Sequence, residues 1–216
     1  MITMGRLAAV DIETTGLDPA TDLILEVGAV VFDSHLQPVI SGAVIVATHA
    51  AVDWAFDTFF LHDDELSPAQ AMHIRNGLVD DLMLVDYHLG SHRFCPDDAD
   101  TFTVAGTLAD ADAWMANFLA ENGVAGPVPM VGSSVRSLDA PFLSAHMPHT
   151  SAVFNHRTID ASALMELARF TDPPAYGEID ALVGSAEHRT VSDCHRSLNL
   201  IRSFATRYGV GNDMVR

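Results

Sequence analysis

Residues 7–17 read LAAVDIETTGL, and the reading of that stretch decides the fold. Leu7 to Ile12 is short and apolar, as a buried strand is. Asp11 and Glu13 sit at its end, and strand residues two apart face the same side. Thr14-Thr15-Gly16 then breaks the regularity as a turn. Two carboxylates are thus aimed at one point, where they repel, and a divalent cation is the usual resolution of such repulsion. Taken alone, the pair is equally an acidic strand end in an acid-rich chain.

Working outward, 23–32 (LILEVGAVVF) and 39–47 (VISGAVIVA) are rich in β-branched residues and separated by turn-forming Asp33, Ser34 and Pro38. Three consecutive strands with short links predict an antiparallel meander. Further on, Thr107-Leu-Ala-Asp110 resembles a capping box. Leu108, Ala111, Met115, Phe118 and Leu119 then recur at helical spacing, with Gly123 as the stop. Val128 to Val131 and Asn155 to Ile159 read as strands, the second feeding a helix over 160–170. Val191, Cys194, Leu198, Ile201, Ala205 and Tyr208 form the apolar stripe of a last helix. Strands first and strand–helix alternation afterwards predict one α/β domain over 1–216, with a mixed five-stranded sheet flanked by helices. Residues 84–106 keep no steady period and read as a long inserted loop.

With 49% hydrophobic and 19% charged residues, the 216-residue chain is not a disordered one. No apolar run reaches the ~18 residues of a spanning helix, so no membrane role is expected. No basic-then-apolar leader opens it. Cys95 and Cys194 are its only cysteines, which sets a reducing cytoplasm as the expected location. The net charge is −18, and the positive charge is all arginine, with no lysine. Such a surface repels polyanions and is poorly supplied for the phosphate contacts that hold long nucleic acid. If the chain handles nucleic acid, cations mediate the contact and the substrate is short.

Two further acidic positions stand out. Asp139, in VGSSVRSLDAPFL, lies at a helix start, where an Asp is also a common cap. In His188-Arg-Thr-Val-Ser-Asp193, Thr190 and Asp193 fit a capping box, with His188 in the loop before the helix. A metal-bound Asp with a histidine above it is the geometry of a general base acting on a metal-activated water.

DIETTGL at 11–17, a middle Asp before a helix, and H-x4-D at the last helix resemble the DEDDh 3′–5′ exonucleases, of RNase H-like fold. Within that group the sequence is similar to the oligoribonucleases. MHIRNGLVDDL (72–82), GSSVRSLDAPFLSAHMP (132–148), FNHRTIDASALMELARF (154–170) and HRTVSDCHRSL (188–198) follow in the family's order. The resemblance implies that Asp11, Glu13, Asp139 and Asp193 hold two Mg²⁺ or Mn²⁺ ions about 4 Å apart, with His188 as general base. It also implies release of nucleoside 5′-monophosphates from the 3′ end of short single-stranded RNA by a homodimer. Leu17, His73, Ser134 and Arg157 fall where the family contacts substrate.

The sequence departs from the family at Thr14, where a Met is usual, and carries one extra residue between Gly132 and Asp139. Ser67-Pro68 stands where the family has a base-stacking Trp, and His156 where it has a Tyr. Two other readings stay open: a 3′–5′ single-stranded DNA exonuclease, and a nucleic-acid-binding relative without the chemistry. His88, His92 and Cys95 read as a polar loop rather than a metal cluster, and His146 and His149 as a helix end. Phe56, Phe59 and Phe60 read as core.

Overall fold

The structure, a computed structural model, describes residues 5–87 and 99–210. β1 (Leu7–Thr14), β2 (Ile24–Phe32) and β3 (Pro38–Val46) form the antiparallel meander. Three helices follow, α1 (His49–Phe59), α2 (Pro68–Arg75) and α3 (Leu78–Tyr87), before a short strand β4 (Thr101–Ala105). Then come α4 (Leu108–Glu121), β5 (Val128–Gly132), α5 (Asp139–His146), α6 (Pro148–Ala152) and β6 (Phe154–Asp160). α7 (Ala161–Thr171), α8 (Pro173–Val183) and α9 (Thr190–Tyr208) complete the described chain.

The sheet order is β4-β3-β2-β1-β5-β6, with β4, β5 and β6 each parallel to a neighbour. It has six strands rather than the expected five, because β4 lies inside the stretch read as a loop. β4 is five residues long, among the described residues pairs only with β3, and is half exposed, so it carries neither a run nor a clean alternation. α3 also runs to Tyr87, so the loop expectation fails at both ends. His88, His92 and Cys95 lie outside the described residues.

Alternation along the central strands divides the core. Ala8, Val10, Val27, Ala29 and Val31 pack with Met115, Phe118 and Leu119 of α4 on one face. Ala9, Val30 and Phe32 pack with Met165 of α7 and Cys194, Leu198 and Ile201 of α9 on the other. Every residue of β2 is buried, as a central strand covered on both faces should be. A third cluster joins Leu25 and Ile45 to Ala51, Ala55, Leu78 and Leu82, seating α1 and α3 against β2 and β3. Tyr208 of the expected apolar stripe is exposed, as are Phe59 and Phe60, which are therefore not core. The Thr107 hydroxyl accepts from the Asp110 amide but donates to the Asp110 carboxylate, so that capping box is formed on one side only.

β1 and β5 run parallel side by side, while the chain continues from them to opposite edges of the sheet. That is the switch point of an open sheet, where a crevice forms at the carboxyl ends of the strands.

Candidate active site

Asp11 and Glu13 project from the end of β1 on the same side, as the strand period requires. The next loop bonds to itself: Thr15 Oγ1 donates to Asp22 at 3.2 Å and accepts the Leu23 amide at 2.9 Å. This holds Gly16 and Leu17 over the strand end. Asp139 opens α5 without capping it. Its Oδ1 accepts the Ile12 amide at 3.0 Å, which ties α5 to β1 between the two β1 carboxylates. In the 133–138 loop that leads to Asp139, Ser134 takes a left-handed φ of 58°, and Asp139 lines the cleft.

Asp193 stands in the first turn of α9. It does not complete a capping box with Thr190. Its two oxygens reach back instead, accepting the Glu187 amide at 3.0 Å and the His188 amide at 3.1 Å. α9 comes this close to the sheet because Gly28, opposite Asp11 in the β1–β2 register, has no side chain. A Cβ there would lie 2.2 Å from Thr190 Oγ1.

Asp11, Glu13, Asp139, His188 and Asp193 line one cleft of ≈ 560 Å³. Within it, ligand atoms of Glu13, His188 and Asp193 all lie within 4.8 Å of one another. Burial pushes the Asp11 carboxyl well up, and Asp139, Glu13 and Asp193 push it further. Glu13 is raised to about 8 by burial, with Glu26 and Asp193 adding to it. Burial raises Asp139 to about 7 against the pull of backbone donors. Asp193 is raised as well, by burial, and the Glu187 and His188 amides hold it back. Four carboxyls crowded against their own ionisation form a site short of positive charge, and a hard divalent cation fits such a set of oxygen donors.

Of the expected substrate contacts, Leu17 is 76% exposed and lines the cleft. His73 is 0% exposed. Its Nε2 bonds to the Thr14 carbonyl at 2.9 Å, so it supports the strand end, and it does not line the cleft. Ser134 and Arg157 do not line the cleft. Ser134 gives its amide to Asp160 and shares its hydroxyl with Ser162, while Arg157 is exposed on β6, the last strand of the sheet. His146 and His149 bond to the Pro19 carbonyl and to Asp112, and are structural.

Sequence reading missed three of the groups around the site. Ser67, Pro68 and Met72, at the start and in the body of α2, line the cleft, whereas the sequence reading extends there only to the missing Trp. Leu138 and Phe142 line it from α5. Glu26, fully buried, accepts from Arg189 at 2.9 and 3.2 Å and from the Thr190 amide at 3.2 Å. Its place in an apolar strand, LILEVGAVVF, was the available signal, because a carboxylate among such residues needs a partner.

No family model matches the chain. Among curated proteins it is similar to the oligoribonuclease of Azoarcus sp. (strain BH72), 30% identical over 210 residues, covering 94% of this chain and 94% of the relative. The oligoribonuclease of Bordetella pertussis is 29% identical over 201 residues, covering 92% and 93%. Among solved structures, an exonuclease I matches with TM-score 0.55 at 11% identity over 94% of this chain. The Methylocaldum szegediense exonuclease I matches with TM-score 0.55 at 12% identity over 96%. The chain spans about two fifths of those exonucleases, 41% and 42%, and at these identities they share its fold alone. That fold is the RNase H-like one.

Proposed function

The chain belongs to the oligoribonuclease family, and from that premise we propose that it is a 3′–5′ exoribonuclease hydrolysing short single-stranded oligoribonucleotides to nucleoside 5′-monophosphates. The observation that carries the reading is the meeting of Asp11, Glu13, Asp139, His188 and Asp193 in one cleft. Asp11, Glu13, Asp139 and Asp193 would hold two divalent cations, Mg²⁺ or Mn²⁺. Bound there, the ions would supply the positive charge that a chain of net charge −18 lacks and would polarise the scissile phosphate.

The protein's own groups do the rest. His188, on the loop that Asp193 grips, accepts the proton of the attacking water. Leu17, held out over the strand end, packs against the terminal base. Ser67 and Pro68, at the cleft wall, leave the next base without the aromatic partner found in the family, which restricts binding energy to the 3′-terminal nucleotides. The acidic surface disfavours long polyanions in the same sense. The protein acts in the cytoplasm as a homodimer under this reading. Among the described residues, no helix is long and apolar enough to cross a membrane.

A 3′–5′ single-stranded DNA exonuclease is the second reading, favoured by the DIETTGL stretch and by the missing base-stacking Trp. Release of mononucleotide from a labelled dinucleotide RNA, compared with release from a long single-stranded DNA, separates the two. Faster turnover of the dinucleotide is expected. Preferential trimming of the DNA would replace the first reading with the second. Absence of Mn²⁺ binding by calorimetry, with neither substrate cut, would leave a binding protein only.

A further inference from the structure

His188 has a backbone φ of 57°, a left-handed conformation that is costly for a residue with a Cβ. Such a conformation persists where the surroundings over-determine it. On the amide side the Asp193 carboxylate does so. On the carbonyl side the contact comes from a different part of the molecule: the Asn76 side chain, at the end of α2, donates from Nδ2 to the His188 carbonyl.

The hydrogen-bond pattern fixes how Asn76 is used. Its Oδ1 accepts the Leu78 amide at 3.0 Å, at the start of α3, so the other end of the amide is the NH₂ group. One N–H goes to His188. The other faces His73 Nδ1 at 3.4 Å. His73 Nε2 must carry a proton, because the Thr14 carbonyl it meets can only accept, and this leaves Nδ1 as a bare acceptor suited to Asn76. A continuous chain therefore runs from the Thr14 carbonyl through His73 and Asn76 to the His188 carbonyl. It joins the end of the strand that bears Glu13 to the loop that bears the imidazole. The neighbouring residue is braced as well. Arg189 pairs with Glu26 at 2.9 Å and Asp81 at 2.9 Å, and its Nη1 points to the Asn76 carbonyl at 3.4 Å.

We propose that Asn76 is a positioning residue for hydrolysis: through its link to His73 it sets the His188 loop relative to the carboxylates at the end of β1. The inference rests on the reading of His188 as the general base.

Asn76 Oδ1 also accepts the Leu78 amide, the first of α3, so the test must spare that contact. Asp and Ser both keep a side-chain oxygen for the Leu78 amide, yet neither offers the Nδ2 donor. Asn76→Asp and Asn76→Ser are compared in the wild-type chain and in a His188→Ala chain, measuring kcat and KM on a short oligoribonucleotide together with Mn²⁺ affinity. In the wild-type chain each variant is expected to lower kcat roughly 10- to 100-fold, with KM and Mn²⁺ affinity near those of the wild type. In the His188→Ala chain neither should lower kcat further, because residues acting through one another are not additive. Equal losses in both backgrounds, or no loss in the wild-type chain, would overturn the inference while leaving the functional reading intact. Wild-type turnover in His188→Ala alone would instead overturn that reading, and the inference with it. The two variants differ in charge, so a loss confined to Asn76→Asp would assign the effect to the added carboxylate and not to the missing donor.

Discussion

The two halves of the cleft are built in different ways. Asp11, Glu13 and Asp139 belong to the sheet: β1 pairs with β2 along its whole length and with β5 on its other side, and Asp139 is bonded to the backbone of Ile12. Their positions follow from the strand ladder. His188 and Asp193 belong to a loop and the helix turn after it, where side chains from elsewhere take the place of the ladder. Asp193 grips two loop amides, Asn76 the His188 carbonyl, and Glu26 with Asp81 the Arg189 guanidinium. The strand half concentrates negative charge. The loop half holds the His188 imidazole at a defined place against it, and it does so through contacts that single substitutions can remove.

That difference predicts unequal consequences for the two halves. His188→Ala removes the imidazole proposed as the base and leaves the four carboxyls in the chain. Turnover on a short oligoribonucleotide should fall by roughly 10²–10⁴-fold, the usual contribution of a general base, while Mn²⁺ affinity measured by calorimetry changes little. Loss of Mn²⁺ binding on the same scale as turnover would show that the imidazole is itself a ligand, and the division between the halves would fail.

The same division governs what is legible in the sequence. The meander is legible because its strands are long, β-branched and joined by strong turn residues, and the D-x-E pair because the strand period alone aims both side chains. The last helix is legible from its stripe. β4 is not, since a five-residue strand at one end of the sheet shows no period of its own. The loop half of the site is legible in its residues, His188 and Asp193, but not in the way they are held. Thr190 and Asp193 have capping-box spacing, and only the fold reveals that the carboxylate turns back to the 187–188 amides. His73 carries a family-like position but is sealed under Trp54 and the strand end, because long-range packing decides burial and local sequence does not.

Gly28 stands between the halves, and a substitution there tests how closely they must meet. Gly28→Ala would set a methyl 2.2 Å from Thr190 Oγ1 and 2.5 Å from its Cβ, forcing the first turn of α9 off the sheet. A destabilisation of about 1–3 kcal/mol in chemical unfolding is expected, the cost of overpacking. Turnover should fall by at least about 10-fold as Asp193 and His188 move together, since displacements of this size are costly to catalysis. Thr190→Gly in the same chain should recover part of both. Full activity in Gly28→Ala would mean that the loop half tolerates displacement, and the comparison would lose its force.

The smallest effect concerns protons. In the metal-free protein Glu13 is raised to about 8 and Asp139 to about 7, both chiefly by burial. An acid raised in the fold binds more protons there than in the unfolded chain, so its contribution to stability is complete below its unfolded pKa near ~4 and lost as pH rises through the folded value. With EDTA present, the unfolding midpoint should therefore fall from pH 5.5 to pH 8.5. Mn²⁺ should raise it most at the alkaline end, because metal binding requires the deprotonated carboxylates. Asp193 is raised too, but the Glu187 and His188 amides offset its burial, whereas Glu13 faces Glu26 and Asp193. Glu13→Gln should accordingly remove more of the pH dependence than Asp193→Asn. A metal-free midpoint that rises across this range would mean that the strand half is already supplied with countercharge, and the cleft would have no electrostatic need of a cation.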